Sequence, residues 1–382
     1  MKILHGYSYF YSLAYPDVKK WNDDYYHLLN KSGFDVEGFC LTIDPPGAPL
    51  SFPELDRQWK KKEYKLMQKY DSLLSALDGK DVLINASGIN LHPEFVETLP
   101  VFTVFQCFDD PESSEILSKP VAASYDLCLV GNVAEVETYK TWDVDNVEWM
   151  PMGLLPGYYD PAISEKELFS VNRDIDLFLI ADRLSPFRKE RLDYLYQQFP
   201  YAHFFGNGWP RGMLSLGQEQ IFLKRSRIGP NIHNSTGPIN FRLFTLPANG
   251  VLQICDNKKH LSQVFELGKE IVGFDSIEEC VDLCRYYFAH ENERLEIAIA
   301  GWKRTMSDYT ETAVFSRLLT SINKYRGVLP NQVNDYVILT NTAKRIHFSI
   351  RYWILYRQFQ SIILNVYYAL RRFAKLIIKH GD

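Results

Sequence analysis

The chain lacks the residues that would commit it to a metal cluster, a membrane span or nucleic acid. Its six cysteines, Cys40, Cys107, Cys128, Cys255, Cys280 and Cys284, include no C-x-x-C pair. No set of histidines accompanies them, so no metal site is expected and the thiols read as small buried hydrophobes. Charge of one sign is not in excess: 42 Lys and Arg against 47 Asp and Glu leave a net −5. That balance excludes a globally basic nucleic-acid surface. The longest charge-free stretch of the C-terminal tail, Gln358 to Leu370, has 13 residues and contains two Gln, a Ser and an Asn. A spanning helix needs about 20 apolar residues, so this stretch is too short and too polar. Met1 to Ser8 lacks the apolar run of a secretory signal. A reducing, cytoplasmic setting is expected.

Aromatic residues are plentiful, with 24 Tyr and 24 Phe among 382 residues. That length suits two domains, each with its own core. The N-terminal half alternates short apolar strands with helical patterns. Lys2–His5, Val36–Leu41, Asp81–Asn85, Val101–Phe105, Leu127–Val130 and Val147–Met150 read as strands, and residues 54–77 as one helix. Pro151 to Pro161, dense in Pro and Gly, breaks the pattern and marks a boundary. A second alternating half follows, with strands at Asp176–Ala181 and Ala202–Phe205. The expected fold class is α/β, with two Rossmann-like domains over residues 1–155 and 156–328 and a helical tail over 329–382.

In open parallel sheets, ligands bind outside the carboxyl ends of the strands. Asp109 and Asp110 follow the strand ending at Phe105, and either one caps a following helix or faces the cleft. His92 follows another strand, and His5 ends the first; both are weaker candidates. In the second half, Arg188 stands near a strand-to-helix turn, as a phosphate ligand or as a solvated helix charge. Asn207 and Gly208 lie in a glycine-flanked loop that allows close backbone approach. Asn231 to Gly250 is a polar loop feeding a short helix. Its His233, Asn234 and Thr236, with Asn240 and Arg242 behind, suit a diphosphate at a helix N-terminus.

This last stretch also carries a family resemblance. Asn240-Phe-Arg-Leu-Phe-Thr-Leu-Pro-Ala-Asn-Gly250 resembles the N-x-R-x-F-E-x-x-A-x-G segment of spore-maturation-type glycosyltransferases with a GT-B fold. Phe265-Glu-Leu-Gly-Lys-Glu-Ile271 and Glu293-Arg-Leu-Glu-Ile-Ala-Ile-Ala-Gly-Trp-Lys-Arg304 are similar to the segments that follow it there. Phe108-Asp-Asp-Pro-Glu112, Tyr125-Asp126, Tyr139-Lys140 and Val147 to Gly153 fall in the order of the partner domain. The similarity spans about residues 80–320, and its motifs are short, so order and spacing carry it.

The resemblance implies sugar transfer from a nucleotide-sugar donor to a glycan or lipid-linked acceptor, without cofactor or metal. The C-terminal domain would bind the donor, and Asp110, Asp109 or His92 would deprotonate the acceptor hydroxyl. Three positions depart from the pattern. Thr245 replaces a Glu expected on the donor ribose, Leu246-Pro-Ala248 replaces Ala-Leu-Ala, and Asp308-Tyr-Thr310 replaces His-Thr-Tyr. Alternatives are therefore a catalytically inactive scaffold that binds nucleotide-sugar and a nucleotide-sugar epimerase.

From Lys344 to Lys379 the tail has eight Lys or Arg and no acidic residue. Aromatic and aliphatic residues lie between them. A basic amphipathic helix at residues 344–380 suits the anionic inner membrane face, giving a peripheral membrane protein of polysaccharide biosynthesis. A helix packed on the body is the competing reading.

Overall fold

A computed structural model describes residues 1–8, 18–43, 51–86, 90–186, 188–234, 240–256, 258–327 and 333–379. The N-terminal unit holds strands β1 (Lys2–Tyr7), β2 (Asp35–Cys40), β3 (Val82–Asn85), β4 (Phe102–Cys107), β5 (Leu127–Val130) and β6 (Val147–Trp149). They form one sheet in the order β2-β1-β3-β4-β5-β6, and every pairing is parallel. The C-terminal unit holds β7 (Ile175–Ile180), β8 (His203–Phe205), β9 (Ser226–Asn231), β10 (Leu252–Cys255) and β11 (Val272–Gly273). Their order is β11-β10-β9-β7-β8, again all parallel. Strands such as Val82–Asn85 and Leu127–Val130 are buried throughout, as expected where helices cover both faces of a parallel sheet.

Two elements depart from the sequence pattern. The helix expected over 54–77 is two, Phe52–Lys60 and Tyr64–Ala76. Lys62 between them takes φ 51°, a left-handed turn that apolar periodicity does not reveal. The helix Glu311–Arg326, expected within the second unit, packs on the first instead. Its Val314, Phe315, Leu318 and Ile322 join Ile3, Leu29, Val82 and Leu127 in one core. Ser321 donates to Glu148 on β6 at 2.6 Å. The chain therefore crosses between units twice, and the second crossing ties them together.

The last helix, Val333–Lys379, divides in two. Ile350 is buried, and with Ile346, Trp353 and Ile354 it packs into the core under the first sheet. Arg351 pairs with Asp71 at 3.2 Å, and His347 meets Thr98 at 3.1 Å. Packing on the body thus accounts for the proximal part. Beyond it the helix stands clear: residues 361–367 are all exposed, including Ile362, Ile363, Leu364, Val366 and Tyr367. Among the described residues no helix is long and apolar enough to cross a membrane.

Candidate active site

The loops at the carboxyl ends of both sheets meet at one cleft of about 390 Å³. From the first unit it is lined by Phe108, Asp109, Asp110, Glu112, Ser113 and Asn132, which follow β4 and β5. From the second it is lined by Arg188, His233, Asn234, Asn240 and Arg242. One wall carries three carboxylates and the other two guanidinium groups.

The cationic wall is built on the end of β9. Asn231, wholly buried, exchanges amide hydrogen bonds with Asn240 at 2.9 and 3.1 Å. Asn240 also accepts from the backbone N–H of Leu243 at 3.1 Å, so it starts the helix Arg242–Ala248. Arg242 donates from Nε to Asn231 Oδ1 at 3.0 Å and from Nη2 to the Ile232 carbonyl at 3.4 Å. Arg188 donates to the same carbonyl at 3.3 Å and to that of Asp182 at 3.2 Å. Burial, and then the neighbouring Arg188, pull the Arg242 guanidinium down to about 10, against the attraction of Cys255, Asp256 and Glu219. Two cations that repel each other, Arg188 buried and Arg242 half-buried, favour an anion between them.

The helix behind these groups is shorter than its role as a dipole would need. It has seven residues and contains Pro247, so its macrodipole is small. Gly250 ends it at φ +70°, as the sequence suggests. Leu246 packs 2.6 Å from where a β-carbon on Gly229 would stand, so that glycine lets the helix lie close on β9.

His233 is fixed by Asp256 through both its ring and its backbone N–H. Its Nδ1 stands 2.6 Å from Asp256 Oδ1, and its backbone N–H donates to Asp256 Oδ2 at 3.1 Å. Arg191 holds that same Oδ2 at 3.0 Å. Burial alone would raise the Asp256 carboxyl, but the hydrogen bond and charge of His233 and the charge of Arg191 outweigh it and hold it low. The Nε2 of His233 is buried and has no hydrogen-bond partner among the described residues. Asp256 was not foreseen, although it directly follows β10, where ligands gather.

His233, Cys255 and Asp256 bring possible metal-ligand atoms within 4.8 Å of one another. The set fits a cation poorly. The Asp256 carboxylate already holds His233 and Arg191, and burial keeps the Cys255 thiol protonated.

On the acidic wall the two adjacent aspartates differ. Asp110 is buried; its Oδ1 accepts from Ser114 and Ser118 at 3.0 and 2.9 Å, and its Oδ2 from Tyr139 at 2.7 Å. Three of the roughly four acceptor sites of this carboxylate are therefore taken by the protein itself. Asp109 is exposed at the cleft rim. The cleft walls desolvate it and the Asp110 and Glu112 charges repel its ionised form, so its carboxyl is raised.

Other expected residues lie elsewhere. His92 is buried in the first unit, 3.4 Å from Asp56 and stacked 5.0 Å from the Trp59 ring. It does not line the cleft, and burial holds it below the usual histidine value. His5 meets the Tyr26 hydroxyl at 2.9 Å. Asn207 and Gly208 follow the edge strand β8, and their carbonyls accept from Arg183 at 2.9 and 3.3 Å. Thr245 is buried, and its hydroxyl donates to the Phe241 carbonyl at 2.8 Å. It does not line the cleft. Thr236 lies outside the described residues. Glu219, unforeseen, is a buried carboxyl pushed up to about 7 by burial, with Arg242 pulling the other way.

In the segment from Glu293 to Arg304, Arg294 and Gly301 serve packing rather than the cleft. Arg294 is 1% exposed, pairs with Glu291 at 2.7 Å, and donates to the Arg227 carbonyl. Gly301 lies where a β-carbon would stand 2.3 Å from the Glu270 carbonyl oxygen.

The paired parallel sheets around a common cleft are the GT-B fold, and solved structures share it. The chain superposes on sucrose-phosphate synthase (tll1590) from Thermosynechococcus elongatus with a TM-score of 0.61 at 10% identity, over 86% of this chain and 100% of that one. A glycosyltransferase from Rickettsia africae gives 0.56 at 12% identity, over 86% and 99%. Alr3699/HepE of Anabaena, in complex with UDP-glucose, gives 0.55 at 12% identity, over 85% and 100%. At the level of sequence, residues 188–320 match the family described as glycosyl transferase-like. That segment contains Arg188, His233, Arg242 and Asp256. No curated protein matches the chain.

Proposed function

We propose that the chain is a glycosyltransferase that moves a sugar from a nucleoside-diphosphate donor to an acceptor hydroxyl. The observation that carries this is the pair Arg188 and Arg242, both anchored on the Ile232 carbonyl and both facing the acidic wall. A diphosphate between the guanidinium groups gains charge-assisted bonds and relieves their mutual repulsion. As the sugar–oxygen bond breaks, charge develops on the diphosphate, and the fixed cations stabilise it. The match of residues 188–320 to a glycosyl transferase-like family supports this reading, as does UDP-glucose in a protein of the same fold. No step requires a metal or cofactor.

The acceptor hydroxyl needs a base, and Asp109 suits it better than Asp110. It is accessible, and its raised carboxyl is a stronger base than an ordinary aspartate. Asp110 acts as the strut that shapes the loop.

The acceptor, in this reading, is a glycan or a lipid-linked sugar at the inner face of an anionic membrane. The exposed apolar residues of the distal C-terminal helix and the tail's Lys and Arg support it. Thr245 favours a second reading, a scaffold that binds nucleotide-sugar without transfer, because its hydroxyl is taken by Phe241.

Incubation with a panel of nucleotide-sugars, following free nucleotide with and without a membrane extract, separates these readings. Nucleotide released only with the extract supports transfer. Binding with no release under either condition supports the scaffold. Conversion of the donor without any acceptor indicates an epimerase.

A further inference from the structure

Within this transferase reading, we infer that His233 and Asp256 form a proton-delivering pair for the departing diphosphate. His233 then acts as a general acid as well as a ligand.

Among the described residues, Nε2 of His233 is a buried ring nitrogen without a partner. A neutral imidazole carries one proton and one lone pair. Asp256, a carboxylate, only accepts, so the short Nδ1–Oδ1 contact puts the imidazole proton on Nδ1. The lone pair is then on Nε2, which is buried, unpartnered and part of a residue lining the cleft. A diphosphate oxygen is also an acceptor only, so it would meet that lone pair in repulsion. Protonation of Nε2 turns the repulsion into a charge-assisted hydrogen bond. The negative Asp256 and the arriving diphosphate both stabilise the imidazolium.

The surroundings weigh on both sides. Arg188 and Arg242 face the same cleft and oppose a third positive charge there. Arg191 partly neutralises Asp256 from behind. Asp109, Asp110 and Glu112 line the opposite wall and favour the added proton. Cys255 is held neutral by burial. A bound diphosphate neutralises the two cleft arginines and tips the balance, so the proton arrives with the ligand.

In the chemical step the bond between the sugar carbon and the phosphate oxygen breaks, and its electron pair stays on oxygen. The Nε2 proton passes to that oxygen, while the Nδ1 proton remains on the bond to Asp256. His233 ends neutral and regains its proton from solvent when the next donor binds. The acceptor oxygen forms the new bond to the sugar carbon as its proton passes to Asp109, and Asp109 then returns that proton to solvent, so atoms and charge balance over the cycle. The arrangement orients one imidazole with one carboxylate, as in the general logic of acid–base pairs.

Titration calorimetry with UDP near neutral pH, repeated in two buffers of different ionisation heat, counts protons taken up on binding. The wild type should bind UDP and take up a proton fraction that His233→Gln abolishes and Asp256→Asn reduces. The Gln variant should still bind, since Arg188 and Arg242 remain. Binding without proton uptake, or uptake unchanged in His233→Gln, overturns the proposal while leaving the transferase reading intact. Failure of the wild type to bind UDP or any other nucleoside diphosphate overturns both. As a kinetic check, His233→Gln should lower kcat by about 100-fold or more with little change in KM. The lower kcat should come with loss of the alkaline limb of the kcat profile, whereas a purely structural role would leave that limb in place.

Discussion

Arg188 and Arg242 stand more than fifty residues apart in the chain, yet both donate to the carbonyl of Ile232, at 3.3 and 3.4 Å. One backbone oxygen thereby sets the spacing of two neighbouring cations. The arrangement holds like charges together before any ligand arrives, which is preorganisation for an anion.

The two adjacent aspartates should separate cleanly on mutation. Asp109→Asn should leave thermal stability near the wild-type value and lower kcat by about 100-fold. Asp110→Asn should instead destabilise, because it replaces a carboxylate that accepts from Ser114, Ser118 and Tyr139. A loss of about 1.5–3 kcal/mol is expected from hydrogen bonds to a charged group. Denaturant melts and initial rates on both variants check this; a stable, inactive Asp110→Asn would reverse the two roles.

Glu219 should make folding depend on pH in an unusual direction. Its carboxyl is raised from 4.5 to about 7 in the folded chain. The native state therefore keeps a proton that the unfolded chain has lost, and stability falls as pH rises through that window. Glu219→Gln removes this dependence, gaining up to roughly 3 kcal/mol over the wild type above the window and little below it. Urea melts at about pH 4.5 and pH 7.5 measure the difference. An equal effect at both values would contradict the assignment.

The C-terminal helix should behave as two parts. Truncation after Arg357 should leave the melting temperature nearly unchanged and abolish sedimentation with anionic vesicles. Ile350→Ala should destabilise by about 2–4 kcal/mol, since Ile350 is 1% exposed in the core. Vesicle binding that survives the truncation would remove the membrane role.

Much of this was legible in the sequence, for reasons that differ by residue. Strands buried on both faces announce themselves as apolar runs, so both sheets follow from local pattern. Asp109, Asp110, Arg188, His233, Asn234, Asn240 and Arg242 line the cleft because they follow strand ends or share one loop. His92 also follows a strand, but the aromatic surface of Trp59 draws it into the core instead. Asn207 and Gly208 follow an edge strand and do not line the cleft. The return of Glu311–Arg326 to the first sheet rests on contacts far apart in sequence, which periodicity does not carry. The same holds for the pairing of Asp256 with His233 and for the division of labour between Asp109 and Asp110.

The most direct test of the central claim is thermal melting with a panel of nucleoside diphosphates, on the wild type, Arg242→Ala and Arg188→Gln. At a concentration about 100 times Kd, a bound nucleotide should stabilise the wild type by about 2.7 kcal/mol. That protection should vanish in both variants, each of which must first show a cooperative melt. Protection that persists in both arginine variants, or a wild type that no nucleotide protects, would contradict the account.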